Sequence, residues 1–380
     1  MPGTVVLSIN ACWNVLNFRR GLIAALRAEG WRVVVLAPAD AYAARLAEIG
    51  VEHVSIAIDS AGLSPIRDLG LLLRYRRQIK RIRPDAFLGF TAKPNVYGSL
   101  AAQALGIPVI NNISGLGTAF MKSGPLRWIV ERLYRVALRR SATVFFQNVE
   151  DRQLFLDSGL VRPGQARLLP GSGIDLARFA PAPALRRPAM FTFLLVGRLL
   201  WQKGVGEYVE AARLVRREMP ETRFHLLGFL ETANVSAVAK ADVEAWQTEA
   251  LVEYLGETDD VRPHIAAADC LVLPSYREGL PRALLEGAAL AKPLIASDVP
   301  GCRQIVEHGV NGLLCAVRDP RSLADAMLDL MRLDDAARAA MGAAGRARVE
   351  REYGEDRVIA AYLGALDDAI AGASSGPDPL

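Results

Sequence analysis

Apolar residues along the first half of the chain fall into two alternating rhythms: short continuous runs, and longer stretches where they recur every third or fourth position. The runs Val5 to Ile9, Arg32 to Ala37, Val54 to Ile58, Ala86 to Thr91, Pro108 to Ile113, Thr143 to Gln147 and Arg167 to Pro170 predict strands. Between them, Asn17 to Ala28, Ala41 to Ile49, Pro65 to Ile82, Asn95 to Leu105 and a basic segment over 122–140 predict helices. Runs without polar alternation mark strands covered on both faces, so the rhythm is that of a parallel sheet between helical layers.

The proline-rich stretch Ala180 to Pro188 can continue neither element and predicts a linker over 181–189. After it the rhythm repeats: strands Phe191 to Val196, Arg223 to Leu227, Leu251 to Leu255, Cys270 to Pro274 and Pro293 to Ser297, with helices Val205 to Met219 and Pro281 to Leu290. Helical patterns run from Pro320 onward. The expected organisation is a first domain over 1–180, a second over 190–352, a helix over 353–372 packing back toward the first domain, and a disordered tail over 373–380. Open parallel sheets bind ligands beyond the carboxyl ends of their strands, which predicts two domains facing one another across a cleft that holds the chemistry.

At 380 residues the chain is long enough for two such domains, each with its own core. The chain is 51% hydrophobic, yet no run approaches the ~20 apolar residues of a bilayer span. Met1 to Thr4 place no basic region ahead of the first apolar run, which therefore reads as a strand rather than a leader and implies a cytoplasmic address. Cys12, Cys270, Cys302 and Cys315 show no C-x-x-C spacing, and neither disulfides nor zinc are expected. The net charge of +4 conceals an asymmetry: residues 1–180 carry 23 Lys/Arg against 12 Asp/Glu, and the remainder 22 against 29. The excess gathers over 67–83 and 122–140, two helical stretches that also carry aliphatic and aromatic residues such as Trp128 and Ile129. A basic amphipathic helix suits an anionic membrane surface, and it equally suits a solvated face over a buried stripe. Nucleic acid is not expected, because the cations are not interleaved with aromatics on a strand platform.

Two segments carry candidate chemistry. Gly197-Arg198-Leu199-Leu200-Trp201-Gln202-Lys203-Gly204 joins the first strand of the second domain to its helix and puts two cations at a helix start, where free N–H groups also favour an anion. Tyr276-Arg277-Glu278-Gly279-Leu280-Pro281-Arg282-Ala283-Leu284-Leu285-Glu286 joins strand, glycine loop and helix. Pro281 suits a first helical position, leaving the amides of Gly279 and Leu280 for a ligand, while Glu286 lies about 7.5 Å along the helix. Carboxylates at two depths accept from hydroxyls of different sugars; the cations and amides take the phosphates.

With these residues in place, the chain resembles the retaining glycosyltransferases of family 4, which have the GT-B fold, an α/β arrangement of two Rossmann-like doubly wound domains. Glu278 and Glu286 match the family's E-x7-E signature, and Arg198 with Lys203 its diphosphate-binding pair. Gly171 to Asp175, Leu255 to Val261, Val299 to Arg303 and Asn311 to Leu314 match further, and the resemblance spans nearly the whole chain. Phe90 to Gly98 and Asn112 to Phe120 are similar to bacterial transferases that build capsule, exopolysaccharide and glycan repeats on polyprenyl-diphosphate carriers, including the galactosaminyl transferases of bacterial N-glycosylation.

The resemblance implies transfer of a hexose or N-acetylhexosamine from a UDP-sugar to a hydroxyl of a lipid-linked saccharide, at the inner face of the cytoplasmic membrane. It implies that Arg198 and Lys203 neutralise the leaving diphosphate, that Glu286 holds the ribose, and that Glu278, Gly279 and Leu280 grip the donor sugar and its phosphates. Gly197 and Val261 complete the donor side. On the acceptor side it points to Asn14, Asn17, Lys93, Asn95, Gly115 and Gly117; Lys93 stands at or beside the place where many relatives have a histidine, and Asn14 and Asn17 lie in the loop where the fold commonly has a glycine pair. No cofactor is implied. Metal is not expected on separate grounds, since no two aspartates lie two apart and His53, His225, His264 and His308 are scattered; Asp259-Asp260 suits a helix cap. Alternative readings are an epimerase or hydrolase of the same fold, which releases UDP without an acceptor, and a non-catalytic nucleotide-sugar-binding protein. A nicotinamide dehydrogenase is disfavoured because no G-x-G-x-x-G opens either domain.

Overall fold

The computed structural model describes residues 3–59, 64–116, 124–181, 190–230 and 236–374. The chain divides into two compact units, Met1–Gly173 with Glu355–Leu380, and Ile174–Gly354. The first change of unit thus falls after Gly173, ahead of the proline-rich stretch, and the second at Glu355; residues 182–189 of the expected linker lie outside the described residues.

The first unit holds β1 (Thr4–Ser8), β2 (Arg32–Ala37), β3 (Glu52–Ser55), β4 (Ala86–Gly89), β5 (Val109–Ile113), β6 (Thr143–Phe146) and β7 (Ala166–Leu168). They form one sheet in the order β3-β2-β1-β4-β5-β6-β7, with every pairing parallel. Helices cover both faces, so Val5, Val6, Leu7, Phe87 and Leu88 are almost fully buried, which explains their unbroken apolar runs. The second unit holds β8 (Thr192–Val196), β9 (Arg223–Leu227), β10 (Glu253–Tyr254), β11 (Cys270–Leu273), β12 (Leu294–Ser297) and β13 (Gly312–Cys315), in the order β10-β9-β8-β11-β12-β13. Both sheets reverse strand order once, between β1 and β4 and between β8 and β11, and those two places are where a doubly wound sheet accepts ligands.

Helix Pro65–Ile82 has the expected bounds: proline sits in its first turn, and the chain leaves it through Arg83 at φ 51°. Other elements differ from the pattern for local reasons. The stretch around Asn17 to Ala28 is two helices, Cys12–Phe18 and Arg20–Ala28, because Arg19 leaves helical geometry at φ −131° and is buried with its guanidinium 4.4 Å over the Phe90 ring. The stretch from Asn95 opens with a π-helical turn, Pro94–Gly98, before helix Ser99–Gln103. The Asn95 side chain there bridges to β5, accepting from Asn111 Nδ2 at 2.9 Å and donating to the Asn112 carbonyl at 2.9 Å. Ala43–Ile49 is a 3-10 helix. Helices Val149–Asp157 and Lys240–Thr248 have too weak an apolar rhythm to read from sequence, whereas strand β13 lies in the continuous apolar run Gly312 to Val317 that the strand reading passes over; the first helix is held by its cap, Asn148 Oδ1 accepting from the Asp151 N–H at 2.7 Å.

Helices Pro320–Arg332 and Asp335–Glu352 belong to the second unit, whereas Glu355–Ser374 belongs to the first. The last helix buries Val358, Tyr362, Ala365, Leu366 and Ala369 on one stripe, in a core shared with Phe90 and Phe145. The helix includes Ala373 and Ser374 of the expected tail; 375–380 lie outside the described residues. Tyr362 Oη accepts from Asn112 Nδ2 at 2.7 Å, and Gln147 Nε2 donates to Asn112 Oδ1 at 3.3 Å. Tyr362→Phe strands the buried Asn112 amide, so its unfolding free energy in urea should fall by about 1–3 kcal/mol; an unchanged midpoint would contradict the bond's role.

Candidate active site

In the second unit the strands on either side of the order reversal pair in parallel near their starts, Cys270 against Phe193 and Leu271 against Leu194, a register that carries their carboxyl ends to the same edge. Beyond β8 the chain runs through Gly197 and Arg198 into a single 3-10 turn, Trp201–Lys203, and then into helix Val205–Glu218. Gly204 makes that turn at φ 75°, and a Cβ on it would lie 2.1 Å from the Pro274 carbonyl oxygen, so only glycine lets the cationic turn rest on the end of β11. Beyond β11 the chain enters the acidic loop, and the Tyr276 N–H donates to the Gln202 carbonyl at 3.0 Å. Gly301, at the start of the helical turn Pro300–Arg303, supports that loop from the β12 side, where a Cβ would meet the Gly279 oxygen at 2.4 Å and the Glu278 oxygen at 2.7 Å.

This backbone brings Lys203 Nζ onto Glu278 Oε1 in an ion pair with side chains only 21% and 11% exposed. Buried Cys302 lies in the field of both charges. Glu286, within helix Arg282–Ala289, is 13% exposed and takes its partner from the same helix: Arg282 Nε stands 2.9 Å from Oε1, one turn back. Burial raises the Glu286 carboxyl above its ordinary range, and Arg282 and then Arg178 offset part of that cost. Nearby, Asp260 accepts from Arg262 Nε at 2.8 Å and Nη2 at 2.6 Å, and that bidentate bond holds its carboxyl below the ordinary range. Asp260 also accepts the Arg262 N–H at the start of helix Arg262–Ala267. Val261 precedes that helix and packs half-buried on the core.

Arg198 is exposed at the end of β8, and the Leu280 side chain is buried in the core. Pro281 differs from expectation: it caps the helix in an extended conformation, and the first helical residue is Arg282. Sequence reasoning missed Arg282, whose spacing of four from Glu286 was the available signal. It also missed Arg178 and Arg262, which approach from distant segments and left no signal.

In the first unit the residues singled out follow adjacent strand ends: Asn14 and Asn17 after β1, Lys93 and Asn95 after β4, Gly115 after β5. Their side chains differ in availability. Asn17 Nδ2 donates to the Trp13 carbonyl at 2.9 Å and Asn14 Nδ2 to Asn10 Oδ1 at 3.1 Å, both half-buried. Lys93 Nζ sits 2.8 Å from Asp68 Oδ1, with side chains 12% and 6% exposed, beside Tyr97, whose hydroxyl titrates above its ordinary value through burial and then Asp68. Asn95 is wholly engaged in the sheet contacts above. Gly115 is exposed; Gly117 lies outside the described residues. Among the described residues no three His, Cys, Asp or Glu side chains gather as a metal site.

Residues 17–172 match the family model described as Glycosyl transferase 4-like domain, and residues 190–333 that described as Glycosyl transferases group 1. The chain belongs to this glycosyltransferase family and has the GT-B fold. It is 26% identical over 373 residues, 94% of this chain and 96% of the relative, to the N,N'-diacetylbacillosaminyl-diphospho-undecaprenol alpha-1,3-N-acetylgalactosaminyltransferase of Campylobacter jejuni. It is also 26% identical, over 70% of this chain and 71% of the relative, to the UDP-Gal:alpha-D-GlcNAc-diphosphoundecaprenol alpha-1,3-galactosyltransferase of Escherichia coli. Among solved structures, HepE of Anabaena in complex with UDP and glucose superposes with a TM-score of 0.79 at 18% identity, over 96% of this chain and 99% of that one.

The raised Glu286 carboxyl has a consequence for stability. Between its ordinary value of 4.5 and its higher folded value, the native state holds a proton that the unfolded state has released. Unfolding free energy, measured in urea at stepped pH, should therefore fall as pH rises through that window, and Glu286→Gln should remove this segment of the profile. An unchanged profile in the variant would contradict the assignment.

Proposed function

We propose that the chain transfers a hexose or N-acetylhexosamine, with retention, from a UDP-sugar to a hydroxyl of a polyprenyl-diphosphate-linked saccharide. The observation that carries this is the pairing of Lys203 with Glu278 at the strand-order reversal, in the same unit as Arg198 and Glu286. The printed activities of the Campylobacter and Escherichia coli relatives, both acting on undecaprenyl-diphosphate-linked sugars, support the acceptor class.

On this reading the donor diphosphate takes Lys203 and Arg198 as its counter-charges. Glu278, released from Lys203, accepts from hydroxyls of the donor sugar, while the Gly279 and Leu280 backbone and the open space at Gly197 receive the phosphates. Glu286 accepts from the ribose, and Val261 borders the nucleoside. Departure of UDP builds negative charge on its terminal phosphate, which the two cations stabilise more strongly than in the ground state. The acceptor hydroxyl attacks from the face the diphosphate leaves, its proton passing to a donor phosphate oxygen, so the scheme uses neither a metal nor a carboxylate nucleophile. Lys93, Asn14, Asn17 and Gly115 are placed on the acceptor side, and Asn95 serves there by fixing the π-helical turn after Lys93.

We assign the membrane-facing surface to the first unit. Ile66, Leu69 and Leu73 are exposed on one stripe of helix Pro65–Ile82 amid exposed Arg67, Arg74, Arg77 and Lys80. Helix Pro125–Leu138 exposes Trp128, Ile129 and Val136 near Arg132, Arg139 and Arg140. Apolar side chains ringed by cations suit an anionic bilayer, each cation contributing about 1 kcal/mol. No described helix is long and apolar enough to cross a membrane.

Lys203→Ala removes a counter-charge and leaves Glu278 unpaired, and Glu286→Ala removes the ribose acceptor. Each should lower kcat/KM for the UDP-sugar by about 10- to 100-fold with the fold intact. The assay is UDP release in a donor screen with membrane extract as acceptor; release that ignores the acceptor would favour a hydrolase, and unchanged kinetics would remove the donor assignment. The double variant Leu69→Glu, Leu73→Glu should lose flotation with phosphatidylglycerol vesicles while keeping its circular dichroism spectrum. Undiminished flotation would contradict the membrane assignment.

A further inference from the structure

We propose that Tyr276 is a positioning residue of the donor site, a strut anchored on Glu207 that fixes the acidic loop against the cationic turn. This rests on the nucleotide-diphosphate reading above and adds a residue to which that reading gives no part.

Tyr276 opens the acidic loop and is held on three sides. Its phenol donates to Glu207 Oε1 at 2.7 Å, its N–H donates to the carbonyl of Gln202, the residue before Lys203, at 3.0 Å, and the Arg318 guanidinium lies 4.4 Å over its ring. Arg318 reaches the ring from the turn after β13, at φ 59°, a backbone region that a non-glycine residue rarely adopts. Glu207 belongs to the first turn of helix Val205–Glu218, the helix that follows Lys203 and Gly204, where the N-terminal dipole favours its charge. The buried Oε2 of Glu207 has no hydrogen-bond partner among the described residues, so the Tyr276 phenol on Oε1 is the donor on which this buried carboxylate depends. Burial, and then Glu207, push the Tyr276 hydroxyl up to about 12, which keeps it a donor across the neutral range.

The strut therefore joins the helix that carries the cationic turn to the loop that carries Glu278, two residues beyond Tyr276. Without the phenol the backbone bond from Tyr276 to Gln202 and the Lys203–Glu278 contact are left to tie the side of the loop that bears Glu278 to the cationic turn, and a diphosphate that takes Lys203 dissolves the second of these. Tyr276 keeps the spacing when the ion pair opens. Glu286 lies in the following helix with its own partner Arg282, so the nucleoside end is not governed by the strut.

Calorimetric titration with UDP and with UMP tests this on the full chain. Tyr276→Phe should weaken UDP by about tenfold and change UMP by less than about twofold. Glu207→Ala should weaken UDP as well, although removing a negative charge would by itself tighten an anion. The double variant should be no worse than the weaker single variant, and Glu207→Gln, whose amide oxygen still accepts the phenol proton, should stay near wild type. Unchanged UDP affinity in Tyr276→Phe, additive losses in the double variant, or an equal loss of UMP would overturn the proposal. Wild-type protein that binds UDP no more tightly than UMP would instead overturn the diphosphate reading on which it rests.

Discussion

A parallel sheet covered by helices on both faces has one exposed place for chemistry, the carboxyl edge of its strands, and that edge is most open where the strand order reverses. Both units obey this constraint. In the first, Asn14, Lys93 and Gly115 follow the ends of β1, β4 and β5; in the second, Arg198, Lys203 and Glu278 follow the ends of β8 and β11. Each unit's core, built from the inner faces of these strands, is what holds the loops in place. The glycines that matter most here, Gly204 and Gly301, sit where two such loops touch backbone to backbone.

Electrostatics explains why Glu278 and Glu286 come with partners. Water reaches Glu278 and Glu286 poorly, and an unpaired charge there would be costly, so each is matched to a cation: Lys203 from the neighbouring loop, Arg282 from one helical turn back. The two pairs differ in kind. Lys203–Glu278 links separate strand ends and can be traded for a ligand that brings phosphate and hydroxyl groups together. Arg282–Glu286 lies within one helix and holds its carboxylate where it is, offsetting part of the rise in pKa that burial imposes.

Strands were legible wherever burial on both faces forced continuous apolar runs, which is why β2 and β9 have the bounds their runs predict, and β1 and β8 start and end within a residue of theirs. Elements shaped by single side chains were not. The break at Arg19 depends on a guanidinium settling over Phe90, and the π-helical turn on Asn95 reaching Asn111 and Asn112, contacts made across the fold. The same division runs through the site. Glu278, Glu286, Arg198 and Lys203 stood out by spacing, whereas the pairing of Lys203 with Glu278 and the support from Tyr276, Glu207 and Gly301 arise only when β8, β11 and β12 are brought side by side. The basic helix over 67–83 was visible as charge, but the exposure of Ile66, Leu69 and Leu73 needed the helix to be packed on its sheet.

On the proposed function a nucleotide diphosphate replaces Glu278 as the partner of Lys203. A crystal structure of the chain soaked with UDP tests it most directly. Phosphate oxygens should lie within hydrogen-bond distance of Lys203 Nζ and the Arg198 guanidinium, with the ribose hydroxyls on Glu286. UDP seated away from the ends of β8 and β11, with the Lys203–Glu278 pair still closed, would contradict it.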